Sequence, residues 1–263
     1  MTDAMKPKPP KKRQRAKREC TPPPPEPAAA VTVAEFAGID VVDLRHLQTD
    51  PSLKSKVRRG KTVRSDPKTI TAVTLHQTAC NFGVGRNHLK AAGGDEELAQ
   101  QIRALGVACH VLAFREGWVV WSNDLERYLY HANGLSGTSL CLEIEGHYSG
   151  LMDDPKTTAV REDVRTTWKG KPDPVTDLTV ETARRGLKLL VDEGRALGMP
   201  IELLRAHRQS AATRRSDPGE EMWQRVGLDY GVAVLGLQVD NDFTLGGGRP
   251  IPKQWDARSA HPY

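Results

Sequence analysis

The stretch TITAVTLHQTA, residues 69–79, alternates β-branched and apolar residues and then stops at the polar cluster His76-Gln77-Thr78. Alternation of this kind reads as a strand, and a strand that ends in polar side chains is a common place to build a site. Working outward, GDEELAQQIRALG (94–106) sets Leu98, Ile102 and Leu105 at i, i+4 and i+7, with acids first and Gly106 last, so a short amphipathic helix is predicted. VACHVLAFREGWVVWSND (107–124) gives two apolar strands around Arg115-Glu116-Gly117, a hairpin by composition. In SGTSLCLEIEGHY (136–148), Leu140, Leu142 and Ile144 share one strand face, and Cys141, Glu143 and Glu145 share the other. DLTVETARRGLKLLVDEGRALGMP (177–200) is the clearest helix: Val180, Ala183, Leu187, Leu190, Val191 and Leu197 form its apolar stripe, and Gly198 and Pro200 end it. IELLRAH (201–207) returns as a short strand. Strands interleaved with helices imply an α/β fold, a central mixed β-sheet flanked by helices.

The chain has 263 residues and a formal charge of +5. Residues 1–30 hold eight Lys and Arg against three Asp and Glu, so the tail carries the whole excess and the rest is neutral. That distribution argues against a nucleic-acid-binding core. The tail also holds eight prolines and no apolar run, which predicts disorder and excludes a secretory signal peptide. Its cations suit non-specific contact with anionic surfaces. No segment has the apolar length of a membrane span. Four cysteines show no C-x-x-C pair, so buried, reduced thiols are expected.

Three polar clusters stand at strand ends: His76, the Glu143/Glu145 pair, and His207 with Asp217. A hydrolytic zinc site needs three imidazole or carboxylate ligands and leaves a position for water, and His76, His207 and Asp217 have the right chemistry. Either glutamate could take the water's proton. Arg205, Arg208 and Arg214 read as ordinary loop charges, and His46, His88, His147 and His261 as surface residues. Trp118, Trp121, Tyr128 and Tyr130 read as core or cleft wall.

ITAVTLHQTA, ACHVLAFREGWVVW, YHANG, SLCLEIEG and AHRQSAATRRSDPG follow one another in an order and spacing that resembles the zinc-dependent N-acetylmuramoyl-L-alanine amidases, the group that includes peptidoglycan recognition proteins. The resemblance covers about residues 60–226. It implies a peptidoglycan recognition protein-like sheet, His76, His207 and Asp217 as ligands of Zn2+ (the Asp-ligand branch), and Glu143 as general base with Glu145 as the alternative. It puts Arg215 where relatives carry an oxyanion-stabilising Lys, and implies substrate contact for His110 and His131.

The implied activity is hydrolysis of the amide between N-acetylmuramic acid and L-alanine in peptidoglycan, by a phage lysin-like or delivered hydrolase. A cytoplasmic muropeptide-recycling amidase and a non-catalytic peptidoglycan-binding module are the alternatives. The expected organisation is a tail at 1–30, a zinc amidase domain at 31–240 and a C-terminal extension at 241–263. A monomer is expected, made in the cytoplasm without a signal peptide and reaching the cell wall through lysis or a delivery route.

Overall fold

The computed structural model describes residues 36, 38–46, 66–80, 93–158 and 171–263. The expected tail and His88 lie outside these residues. Residues 241–263 belong to the same compact unit as the strands and helices described below.

Among the described residues six strands form the main sheet: β1 (Asp40–Asp43), β2 (Ala72–Gln77), β3 (Val111–Ala113), β4 (Trp118–Trp121), β5 (Ser139–Ile144) and, omitting a side hairpin, β8 (Leu203–Ala206). The hairpin is β6 (Ser149–Leu151) with β7 (Asp154–Thr158). The order across the sheet is β1-β4-β3-β5-β2-β8. Every pairing is parallel except β3 with β4, the hairpin anticipated around Gly117, so the sheet is mixed as expected.

Helix α1 (Glu96–Ala104) opens at Asp95, whose side chain accepts a hydrogen bond from the Leu98 N–H and so satisfies one of the free donors of the first turn. Helix α2 (Asp177–Ala196) is capped in the same way by Thr176 on the Thr179 N–H. Helix α3 (Glu220–Met222) runs on into a π-wound segment, Trp223–Val232.

The two sheet faces bury different partners. Val73, Leu75, Leu140, Leu142 and Ile144 pack with Val180, Ala183, Leu187, Leu190 and Val191 of α2, and Met222, Trp223 and Val226 join the same core. Leu197 leaves the expected stripe and is 48% exposed, because the helix has ended by then and Gly198 turns the chain at φ +79°. On the other face Cys109, Leu112, Phe114, Trp118, Val120 and Cys141 pack with Ala104 and Leu105 at the end of α1. Leu187 sits at the centre of the first core with no exposed surface. Leu187→Ala should lower unfolding stability by about 2–5 kcal/mol, read from the shift of a urea melt, since deletion leaves a cavity in a close-packed layer. A loss under about 0.5 kcal/mol, the scale of surface changes, would contradict this packing.

Candidate metal centre

Strand register brings the polar strand ends together. In the parallel pairing of β2 with β5, His76 stands opposite Glu143. In the pairing of β2 with β8, Leu75 stands opposite Ala206, so His207 follows at the level of His76. Thr74 and His76 alternate away from the α2 core, as do Cys141 and Glu143. Three neighbouring parallel strands therefore deliver Glu143, His76 and His207 side by side at their carboxyl ends, where open α/β sheets build their sites.

His76 Nδ1 lies 2.9 Å from His207 Nδ1, and His207 Nδ1 lies 3.0 Å from Asp217 Oδ2. Donor atoms of His76, His207 and Asp217 all fall within 4.8 Å of one another, and His76 and Asp217 are each 1% exposed. The surrounding bonds fix which nitrogen is bare. His131 Nε2 faces the Ser139 carbonyl at 3.3 Å and must carry hydrogen; its Nδ1 then accepts from His76 Nε2 at 3.1 Å. A neutral His76 protonated at Nε2 presents a lone pair at Nδ1, toward His207 and Asp217. Burial first, then His207, His131 and Arg214, push the His76 pKa well below the usual histidine value, which keeps it neutral.

Asp217 is fixed through its other oxygen, since Oδ1 accepts from the Gln77 N–H at 2.8 Å. Two imidazole nitrogens and a carboxylate oxygen converging in this way suit a borderline cation such as zinc, whose ligands are held by outer hydrogen bonds like that from Gln77 to Asp217. His76, His131 and Cys141 also lie within 4.8 Å of one another. That group is the poorer ligand set: burial pushes the Cys141 thiol well up, and His76 Nε2 and His131 Nδ1 already bond each other.

Glu143 Oε1 lies 3.8 Å from His76 Nδ1, beside the converging donors. Glu145 follows the end of β5 and points its carboxylate elsewhere, accepting from the Arg115 N–H at 3.3 Å. His131 is half-buried against His76. His110, for which the resemblance implies substrate contact, is fully buried, with Nδ1 accepting from the Cys141 N–H at 3.0 Å and Nε2 donating to the Arg127 carbonyl at 3.1 Å. Nδ1 thus ties His110 to β5, and Nε2 ties it to the loop after β4. Arg215 Nη2 donates to the Tyr263 main-chain oxygen at 3.2 Å, and its guanidinium lies 4.2 Å from the Tyr263 ring.

Several residues escaped sequence reasoning. Gln77 is buried, and its side chain donates to the Ser216 carbonyl at 2.8 Å and accepts from the Tyr148 N–H at 2.6 Å, which ties β2 to the loop before Asp217. Its only signal was a polar residue directly after the strand's histidine. Arg205 and Arg208, read as ordinary loop charges, and His147, read as a surface residue, are buried, and Arg214 contributes charge at His76. Gly219 closes the loop at φ +106°, where a Cβ would meet the Ser149 carbonyl and Tyr148 Cβ at 3.0 Å, so only glycine fits without strain.

The family model described as N-acetylmuramoyl-L-alanine amidase matches residues 66–220 of the 263. No curated protein matches the sequence. Among solved structures, bumblebee PGRP-SA is 16% identical over 72% of this chain and 95% of its own, with a TM-score of 0.44. The endolysin of Thermus scotoductus MAT2119 bacteriophage Ph2119 is 16% identical over 71% and 99%, at 0.38. The Clostridium intestinale URNW endolysin LysCS, an N-acetylmuramoyl-L-alanine amidase, is 12% identical over 75% and 96%, at 0.37. The family match spans β2, β3, β4, β5 and β8 and every residue of the converging set; the chain belongs to the N-acetylmuramoyl-L-alanine amidase family.

Proposed function

We propose that the protein is a zinc-dependent hydrolase of the amide joining N-acetylmuramic acid to L-alanine in peptidoglycan, acting as a lysin-like or delivered cell-wall enzyme. The observation that carries this reading is the convergence of His76 Nδ1, His207 Nδ1 and Asp217 Oδ2 with the Glu143 carboxylate alongside. A non-catalytic murein binder needs neither the three donors nor the base.

His76, His207 and Asp217 would hold the ion. Bound zinc supplies a water pKa lowered to roughly 7 and polarisation of the scissile carbonyl. Glu143 then accepts a proton from the attacking water as its oxygen bonds the carbonyl carbon. As the C–N bond breaks, the same carboxyl returns that proton to the leaving amine of L-alanine. Arg215 steadies the oxyanion of the tetrahedral intermediate by charge; with a pKa above roughly 12 it serves no proton transfer. Its contacts to the Tyr263 main-chain oxygen and ring hold the guanidinium in place. His131 sustains the tautomer of His76 from the half-exposed side, where a substrate reaches it.

The experiment is release of L-alanine-bearing peptides from purified sacculi. Zinc-loaded protein should liberate new L-alanine amino termini, a chelator should abolish release, and added zinc should restore it. Binding to sacculi without release by zinc-loaded protein would identify a binding module instead. Equal assays on soluble muropeptides separate a wall hydrolase from a recycling enzyme: preference for intact sacculi is expected.

A further inference from the structure

The loop from His207 to Asp217 carries two of the three donors, and its buried cation, Arg208, has no part in the chemistry above. Arg208 is 1% exposed. Its backbone N–H donates to the Asp217 carbonyl at 3.1 Å, and its Nη1 donates to the Arg215 carbonyl at 2.7 Å. One residue, next to His207 in sequence, thus bonds the main chain at Asp217 and two residues before it. Burying a guanidinium is costly unless something replaces its water. Here aromatic faces do so: its carbon lies 4.7 Å from the Trp255 ring and 5.3 Å from the Tyr263 ring.

Both rings belong to the segment after residue 220, outside the span that the family model matches. That segment is fastened along the loop. Leu245 N–H donates to the Gln209 carbonyl at 2.8 Å, Arg249 N–H donates to the Arg208 carbonyl at 2.7 Å, and Gln209 Nε2 returns a bond to the Asp240 carbonyl at 2.9 Å. Trp255 is fully buried and donates through Nε1 to the Gly150 carbonyl. Tyr263 holds the other end: its hydroxyl lies 2.7 Å from Ser216 Oγ, one residue before Asp217, and its ring also carries Arg215.

We propose that Arg208, seated on Trp255 and Tyr263, is a positioning residue that fixes His207 and Asp217 relative to each other, so that zinc affinity is set by the C-terminal segment. This rests on the zinc reading of the site. A planar fork that stacks and donates at once is a property of arginine, and lysine does not reproduce it.

The test is zinc affinity of the full-length protein, measured by competition with a chromophoric chelator, for Arg208→Lys, Tyr263→Ala and Tyr263→Phe. Arg208→Lys and Tyr263→Ala should weaken zinc binding by about 10–100-fold, the scale of lost support around metal ligands. Tyr263→Phe keeps the ring and should stay near wild type. Tyr263 is only half-buried, so its variants decide the matter even where Arg208→Lys fails to fold. Unchanged affinity in Tyr263→Ala, or equal loss in the alanine and phenylalanine variants, overturns the proposal. A wild-type protein that takes no zinc overturns the underlying reading of the site instead.

Discussion

Glu143→Gln should lower kcat on sacculi by about 10²–10⁴-fold, the usual contribution of a positioned general base. Glutamine keeps the volume and shape of the side chain beside His76, so packing at the end of β5 is preserved while the proton acceptor is removed. Zinc content should stay at the wild-type value, because Glu143 is not among the converging donors. Steady-state turnover together with metal analysis checks both halves. Wild-type kcat in the glutamine variant would remove Glu143 from the mechanism. The alternative, Glu145, would then need to leave the Arg115 N–H that its carboxylate accepts.

The second large effect is expected at Asp217, where one carboxylate does two jobs. Oδ2 meets His207 Nδ1, and Oδ1 receives the Gln77 N–H. Asp217→Ala should abolish stoichiometric zinc binding and activity together, a larger loss than the roughly 10–100-fold that follows removal of an outer hydrogen-bond partner. It should also cost about 1–3 kcal/mol of apo-protein stability, because the Gln77 N–H is left buried without its acceptor. Asp217→Asn separates the two jobs. Its amide oxygen can still accept from Gln77, so most of the stability should return, measured by urea unfolding without metal, while zinc binding stays poor. An alanine variant that retains one tightly held zinc would show that Asp217 is not a ligand.

What was legible in the sequence follows physical scale. Helix α2 and strands β2 and β5 announce themselves because each buries a whole periodic face, and their apolar positions sit in one core. The alternation in β5 also separated Glu143 from the leucines correctly. Strand β1 went unread: Asp40–Asp43 has only two apolar residues, and it exists because β4 offers it a parallel edge. The β6/β7 hairpin likewise hides in a polar stretch. At the site, the resemblance named the three converging residues, whereas the parts that hold them were invisible. Gln77 is buried against the distant Ser216 carbonyl and Arg208 against the distant Trp255 and Tyr263 rings, and composition treats both as surface. The main-chain contacts of His110 were equally hidden, because a histidine between two main-chain groups looks no different in sequence from one that faces a ligand.

Strand β5 has a double relation to the centre. Glu143, near its carboxyl end, is the proposed base, and the Ser139 carbonyl, at its start, orients His131 and through it sets which nitrogen of His76 is bare. A small slide of β5 against β2 therefore disturbs the proton acceptor and the ligand's tautomer in one movement. The chain has no simple way to lose one function and keep the other by loosening its sheet. Under the proposed function, damage there should leave activity either whole or silent, and graded activity is expected from the loop side, where Asp217 hangs on replaceable contacts.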